Sequence, residues 1–382
     1  MKRLTLYILL LLTPCLAAAQ RKEMGQARTF IKNKKYDDAE KLIAPLLKDS
    51  VHRRNKRVWA VYYDIVKGKY TQANDRLYLK QKQDTAAFFA LTRRMTSVAE
   101  TLDSLAPDDR KSLSAEQNTH RVNLFNGGIY FVRKSRWQDA YDYMEAYIDC
   151  GRQPLFAAYH YDSLDARMPQ AAYWATYSGY MLQNAVLTLR HRHLALRDTA
   201  KADFTLQFIA EARRWLKDDE LYLAALQEGF RRYPLFPYFF PRLFDFYTSR
   251  GQYDRALAVA DSALAVCDSS ELFLFAKSTT LLSMERYAES IRIGDRLIAL
   301  NDSLPEPYFN VATAYVNIAD SLEARRNQKL VKQAYQKAQP YMERYRAMMP
   351  GEKQKWGPAL YRIYLNLNLG RQFDEIDRLL RQ

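Results

Sequence analysis

Glycine is scarce in this sequence, 12 residues in 382, and no two stand in a Gly-x-Gly arrangement. That removes the dinucleotide and phosphate-loop fingerprints, which need glycines to bring backbone against a pyrophosphate. Cysteine is scarcer still, at three, so a disulfide-stapled scaffold is excluded. No His-Glu-x-x-His helix, Gly-x-Ser-x-Gly elbow or Ser-x-x-Lys pair occurs. His191 and His193 stand two apart on a helical stretch, point to different faces and cannot share a metal; they read as surface side chains. From Gln20 onward no run approaches the roughly 18 apolar residues of a membrane span. No alternating run is long enough to read as a strand.

What is present is a folding composition: 48% hydrophobic residues, 26% charged, with 28 Tyr and 18 Phe. Lys and Arg outnumber Asp and Glu by 58 to 43, for a net charge of +15. Met1-Lys2-Arg3, the apolar Leu4–Leu12, Pro14 and the small residues Ala17-Ala18-Ala19 read as a secretory leader over 1–19, cleaved before Gln20. Pro14 directly before Cys15 disfavours lipidation there, where a small residue would be needed. Loss of Lys2 and Arg3 leaves a mature charge of +13. Cys150 and Cys267 are expected to be two buried, unreactive thiols.

An aromatic residue followed three positions later by a small or apolar one recurs along the chain. It occurs as Tyr36/Ala39, Tyr70/Ala73, Trp137/Ala140, Tyr253/Ala256, Tyr287/Ser290 and Phe373/Ile376. Tyr36 and Tyr70 are 34 residues apart, as are Tyr253 and Tyr287. A 34-residue period is that of a repeated helix pair. Gly68 and Gly251 each lie two residues before an aromatic, where a first helix should stop and reverse through a left-handed residue. Stepping by 34 from Leu206 gives Phe240, Leu274 and Tyr308, and Tyr247, Leu281 and Tyr315 likewise share a position. These residues resemble the tetratricopeptide repeat. The resemblance implies an all-α fold, a right-handed α-solenoid of antiparallel helix pairs in which Tyr and Trp, Trp137 and Trp356 included, wedge between repeats.

The chain accordingly divides into the leader (1–19), N-terminal repeats (20–150), a degenerate helical segment (151–202) and a C-terminal array (203–382). An amphipathic helix from Thr85 turns at Ala106-Pro107-Asp108, and a long charged helix spans the region from Ala319 to Met349. Pro234, Pro237 and Pro241 punctuate the chain, with a helix starting near Pro237. Ser135-x-x-Gln138 and Asp268-x-x-Glu271 have the form of capping boxes, and Asp108-Asp109 and Asp218-Asp219-Glu220 that of acidic helix starts.

In the tetratricopeptide family the first helix of each repeat lines a groove that holds extended peptides. The resemblance places Phe204, Gln207, Phe208, Glu211, Tyr238, Arg242, Phe275, Phe309 and Asn310 in that groove. The family's carboxylate clamp for chaperone tails is not reproduced, since Gln207, Glu211, Arg242, Leu272 and Ala276 occupy its places. The expected protein is therefore a non-enzymatic periplasmic scaffold without cofactor or metal, acting on a protein or peptide partner in the envelope. The basic charge also suits an anionic surface, and nucleic acid is an improbable partner for an exported chain. A second reading makes the Tyr- and Asp-rich stretch from Tyr159 to Asp165 a glycan- or surface-binding site.

Overall fold

A computed structural model describes residues 21–49, 52–322 and 324–381; the leader expected over 1–19 lies outside them. Among the described residues all regular structure is helical. The chain forms two compact units that divide between Asp218 and Asp219.

In the first unit α1 (21–32) and α2 (Tyr36–Lys48) form a tight hairpin, followed by two longer helices, α3 (Lys56–Tyr78) and α4 (Thr85–Leu105). Then come α5 (Arg110–His120), α6 (Val122–Arg133) and α7 (Trp137–Asp149). The short α8 (Tyr161–Leu164), then α9 (Met168–Met181), α10 (Ala185–Arg190), α11 (Arg192–Ala195) and α12 (Ala202–Trp215) complete it. The second unit runs from α13 (Asp219–Arg232) through α14 (Phe239–Thr248), α15 (Tyr253–Val266), α16 (Glu271–Ser283) and α17 (Tyr287–Leu300). It ends with α18 (Pro305–Ser321), α19 (Ala324–Met348), α20 (Lys353–Leu367) and α21 (Gly370–Arg381). Sequential helices pack on one another in both units, as a stack of helical hairpins must.

The recurring aromatic marks helix starts. Tyr36, Trp137, Tyr253 and Tyr287 are each the first residue of a second helix, and their partners Ala39, Ala140, Ala256 and Ser290 are completely buried. Two residues before each stands a left-handed residue: Lys34 (φ 58°), Ser135 (55°), Gly251 (67°) and Glu285 (59°). The next amide in each case reaches back five residues, Lys35 to Phe30, Arg136 to Phe131, Gln252 to Tyr247 and Arg286 to Leu281, at 2.9–3.0 Å. These four are instances of one Schellman turn, with the left-handed position filled by Gly in only one of the four. A side chain there costs roughly 1 kcal/mol or more. Ser135→Gly and Glu285→Gly should therefore each stabilise their unit by up to about 1 kcal/mol, and Gly251→Ala should destabilise by a similar amount. Urea midpoints read by helical ellipticity check both signs.

Several expectations are corrected. Tyr70 does not start a helix: α3 continues through Gly68, which has no Cβ because the Tyr36 ring lies where one would be, its Cε1 only 2.1 Å from that position. Gly68 thus serves a close approach and not a turn. Ser135 occupies the left-handed turn, and Arg136 at the start of α7 makes no side-chain cap. α16 is capped by Ser270, whose hydroxyl accepts from the Phe273 amide, while Asp268 pairs with Arg296 at 3.0 Å. Asp109 precedes α5 without a capping bond, whereas α13 does start at the acidic stretch, with Asp219 and Glu220 in its first turn and Asp219 also paired with Arg250 at 2.6 Å. Phe373 lies three residues inside α21. A helix does start near Pro237, as expected, α14 beginning two residues after it. The long charged helix expected from Ala319 is α19, which begins at Ala324 because Ala319 belongs to α18, and it is bent at Asn327 where φ is −122°.

The aromatic wedges are where the repeat resemblance puts them. Trp356 is buried and its Nε1 donates to the Met349 carbonyl at 3.1 Å, while half-buried Trp137 meets Tyr177 edge-on with ring centres 5.6 Å apart. Both tryptophans serve packing. Cys150 and Cys267 are free; Cys150 is fully buried, whereas Cys267 is only half-buried because it ends α15.

Candidate binding surfaces

The residues placed in the groove by the repeat pattern fall in both units. In the first, Phe208 is buried among Tyr173, Tyr177 and Tyr180, with the Tyr180 ring 4.6 Å away and nearly parallel. Glu211 is buried and bound by Arg214 at 2.6 Å, Gln207 is half-buried, and Phe204 is exposed with the Lys201 ammonium 5.6 Å from its ring. In the second unit the Arg242 guanidinium covers buried Tyr238 at 3.9 Å. Asn310 is buried and donates to the Thr279 hydroxyl at 3.1 Å, and Phe309 packs against Tyr345 at 5.1 Å. Phe275 borders a cavity of about 360 Å³ with Leu272, Leu304 and Glu306. The structure thus joins Tyr238 to Arg242 and seats Phe208, Glu211 and Asn310 in internal contacts.

A groove that the sequence did not single out lies in the first unit, with a volume of about 670 Å³. Its floor is one face of α4: Ala86, Ala90, Ser97 and Thr101, which recur at helical spacing. α4 starts cleanly because Asp84 caps it, accepting from the amides of Ala86 at 2.8 Å and Ala87 at 3.2 Å. The walls are aromatic and cationic. Arg94 lies over Tyr62 at 5.1 Å, Arg93 over Tyr143 at 5.7 Å and Arg136 over Phe131 at 4.6 Å. Each guanidinium is held by one carboxylate: Arg94 by Glu40, Arg93 by Asp142 at 3.1 Å and Arg136 by Asp139 at 2.8 Å. Burial pushes the Glu40 carboxyl up, but the bonds from Lys69 and Arg94 outweigh it and hold it below the usual range. A guanidinium has five N–H donors, so one carboxylate orients it and leaves donors for a ligand. The signal was in the sequence as the small residues of α4, which carry no aromatic-and-alanine pair.

The stretch from Tyr159 to Asp165 is tied up internally. Arg121, 6% exposed, is sandwiched between the rings of Tyr147 and Tyr161, each centred 3.7 Å from it. It donates to Asp165 at 2.6 Å and to the Tyr147 carbonyl at 3.1 Å, and the Tyr147 hydroxyl donates to Asp165 at 2.6 Å. Burial raises the Asp165 carboxyl, yet these bonds bring it below its ordinary value. Tyr161 donates to Asn118, and Tyr159 stacks on Tyr161 at 5.4 Å. The cavity beside them holds about 320 Å³.

His191 is not a surface residue: it is 3% exposed, and its Nε2 lies 2.6 Å from Glu145. Arg190 approaches the same carboxylate at 2.8 Å, while His193 is exposed. Burial pushes the Cys150 thiol up to about 12, so at neutral pH it is no nucleophile. Among the described residues no group of three His, Cys, Asp or Glu could hold a metal ion, and no helix is long and apolar enough to cross a membrane.

No family profile matches the chain, and no curated protein matches it. Solved structures similar to it include the C-terminal part of a TPR repeat-containing protein from Cytophaga hutchinsonii, with 11% identity over 66% of this chain and 92% of that one and a TM-score of 0.44. The TPR domain of P58(IPK) is similar over 92% of this chain and 98% of its own, with 11% identity and a TM-score of 0.27. The Cut9-Hcn1 hetero-tetramer of the APC/C gives 11% identity over 86% of this chain and 59% of that one, with a TM-score of 0.32. Each unit is by itself an all-α stack of helical hairpins among the described residues.

Proposed function

We propose that the chain is a non-enzymatic interaction scaffold of the bacterial cell envelope, exported by its leader, which holds an extended acidic segment of a protein partner. The observation that carries this reading is the groove over α4. Its small-residue floor leaves room for a backbone, and three arginines, each fixed by an aromatic face and a carboxylate, supply donors without a search for rotamers. Arg, Tyr and Trp are the residues that dominate binding energy at interfaces. The segment 20–84, with 17 Lys and Arg against 8 Asp and Glu, adds a positive field that steers an acidic ligand. Against a catalytic role stand the raised Cys150 thiol and the internal use of His191, Glu145 and Asp165. The glycan reading of Tyr159 to Asp165 is disfavoured by the same bonds.

Displayed random peptides selected on the full chain should be enriched in acidic residues spaced among apolar ones. Arg93→Ala with Arg136→Ala, both at exposed positions, should weaken the selected peptides by roughly tenfold or more without lowering helicity. Selected peptides indifferent to these changes, or binding to glycans that is lost on Tyr159→Ala, would displace the proposal.

A further inference from the structure

The hairpin tip between α3 and α4 is built to meet a surface. These helices have 23 and 21 residues, against 13 in α2 and α7. The last buried side chain of α3 is Ala73 and the first of α4 is Phe88; between them Leu77 and Ala86 still pack half-buried against the core, and the turn from Tyr78 to Lys82 lies exposed at the end of the hairpin. From Gly68, level with the start of α2 at Tyr36, α3 runs ten more residues to Tyr78, a reach of about 15 Å at the helical rise. At its end Tyr78 is 85% exposed and Leu79 61% exposed, side by side. Arg76, Lys80 and Lys82 flank them, all exposed, and among the described residues none is paired with a carboxylate. Of the nearby acids, Asp84 is engaged in capping α4. The tip is ordered by its own backbone: the Leu79 amide donates to the Asp75 carbonyl at 2.9 Å and the Gln81 amide to Arg76 at 2.8 Å, with Lys80 left-handed at φ 53°.

We infer that this tip docks on an anionic bilayer, with Tyr78 and Leu79 entering the interface and Arg76, Lys80 and Lys82 lying among acidic headgroups. Two large apolar side chains held in water at the end of a projecting, ordered hairpin gain by leaving water. A convex tip encloses nothing, so a deformable surface suits it better than a rigid protein pocket. Tyrosine favours the membrane–water boundary, and each cation near an acidic leaflet adds its own attraction. The segment 20–84, with its 17 basic and 8 acidic residues, extends the same sign of potential behind the tip.

The test places an environment-sensitive fluorophore on Leu79→Cys in the full chain, with Cys15→Ser and Cys267→Ser so that, Cys150 being buried, one accessible thiol is left. Vesicles of phosphatidylglycerol should shift the emission to the blue, and phosphatidylcholine vesicles should not. Lys80→Glu with Lys82→Glu removes four charge units, each worth roughly fivefold near an acidic leaflet, and should weaken vesicle binding by about a hundredfold or more; salt should do so progressively. Soluble glycerol phosphate should leave the emission unchanged. An unshifted probe on acidic vesicles, an equal shift on both lipids, or a shift produced only by a peptide selected for the α4 groove would overturn the inference. Peptide affinity at the groove is read separately and does not depend on this outcome.

Discussion

Replacing Arg121 by Ala is expected to lower the unfolding free energy of the first unit by about 3–5 kcal/mol, the range for breaking a buried ion pair from one side. The guanidinium is the plate between the Tyr147 and Tyr161 rings, and its bonds to Asp165 and to the Tyr147 carbonyl tie the segment after α7 to the start of α6. Without it the Asp165 carboxylate stays half-buried with only the Tyr147 hydroxyl and the Arg167 amide as donors. Removing both charges together, Arg121→Met with Asp165→Leu, should recover most of the loss, because the charge left behind is what costs. The acid limb carries a second signature. The folded Asp165 carboxyl lies below its ordinary value, so its contribution is present at neutral pH and is lost as pH falls through the folded value. Arg121→Ala should flatten that limb. Urea unfolding followed by ellipticity reads both effects; a loss below about 1 kcal/mol would place the cluster on the surface in energetic terms.

Glu100→Gln should do the opposite and stabilise the first unit above pH 7 by about 3 kcal/mol, taking roughly 1.4 kcal/mol for each unit by which the carboxyl is raised. Glu100 is pushed from an ordinary value of 4.5 up to about 7, first by burial in α4 and then by the neighbouring Asp149 carboxylate. Among the described residues no Lys or Arg pairs with it. The folded state therefore holds a proton that the unfolded chain releases, and stability falls as pH rises from about 4.5 to 7. Below that window Gln and Glu should be nearly equivalent, and above it the variant should be the more stable. A pH series of melting temperatures checks the sign, which is the reverse of that for Asp165.

Most of the fold was written locally. Tyr36, Trp137, Tyr253 and Tyr287 head their helices because a Schellman turn and the buried small residue three positions on lie within a few residues of each other. The same letters misled at Tyr70, since a glycine two residues before an aromatic can serve a turn, as Gly251 does, or admit a ring, as Gly68 admits Tyr36. Ser135 has the chemistry of a cap but falls on the left-handed position of the turn. His191 looked like a surface residue because its partner, Glu145, is 46 positions away and is brought near only by packing. The α4 groove was least legible. Its walls come from four helices, so no window of sequence contains Arg93, Tyr143, Tyr62 and Arg136 together.

The most direct measurement of the scaffold reading is a photo-crosslinking residue placed at Ala90, on the floor of the α4 groove, in cells carrying the full chain. The account predicts a discrete crosslinked protein whose modified peptide is rich in Asp or Glu, and predicts that Arg93→Glu with Arg136→Glu abolishes it. A crosslink that survives both charge reversals, or no crosslink at Ala90 together with cell-wall glycan hydrolysis by the purified protein, would contradict it.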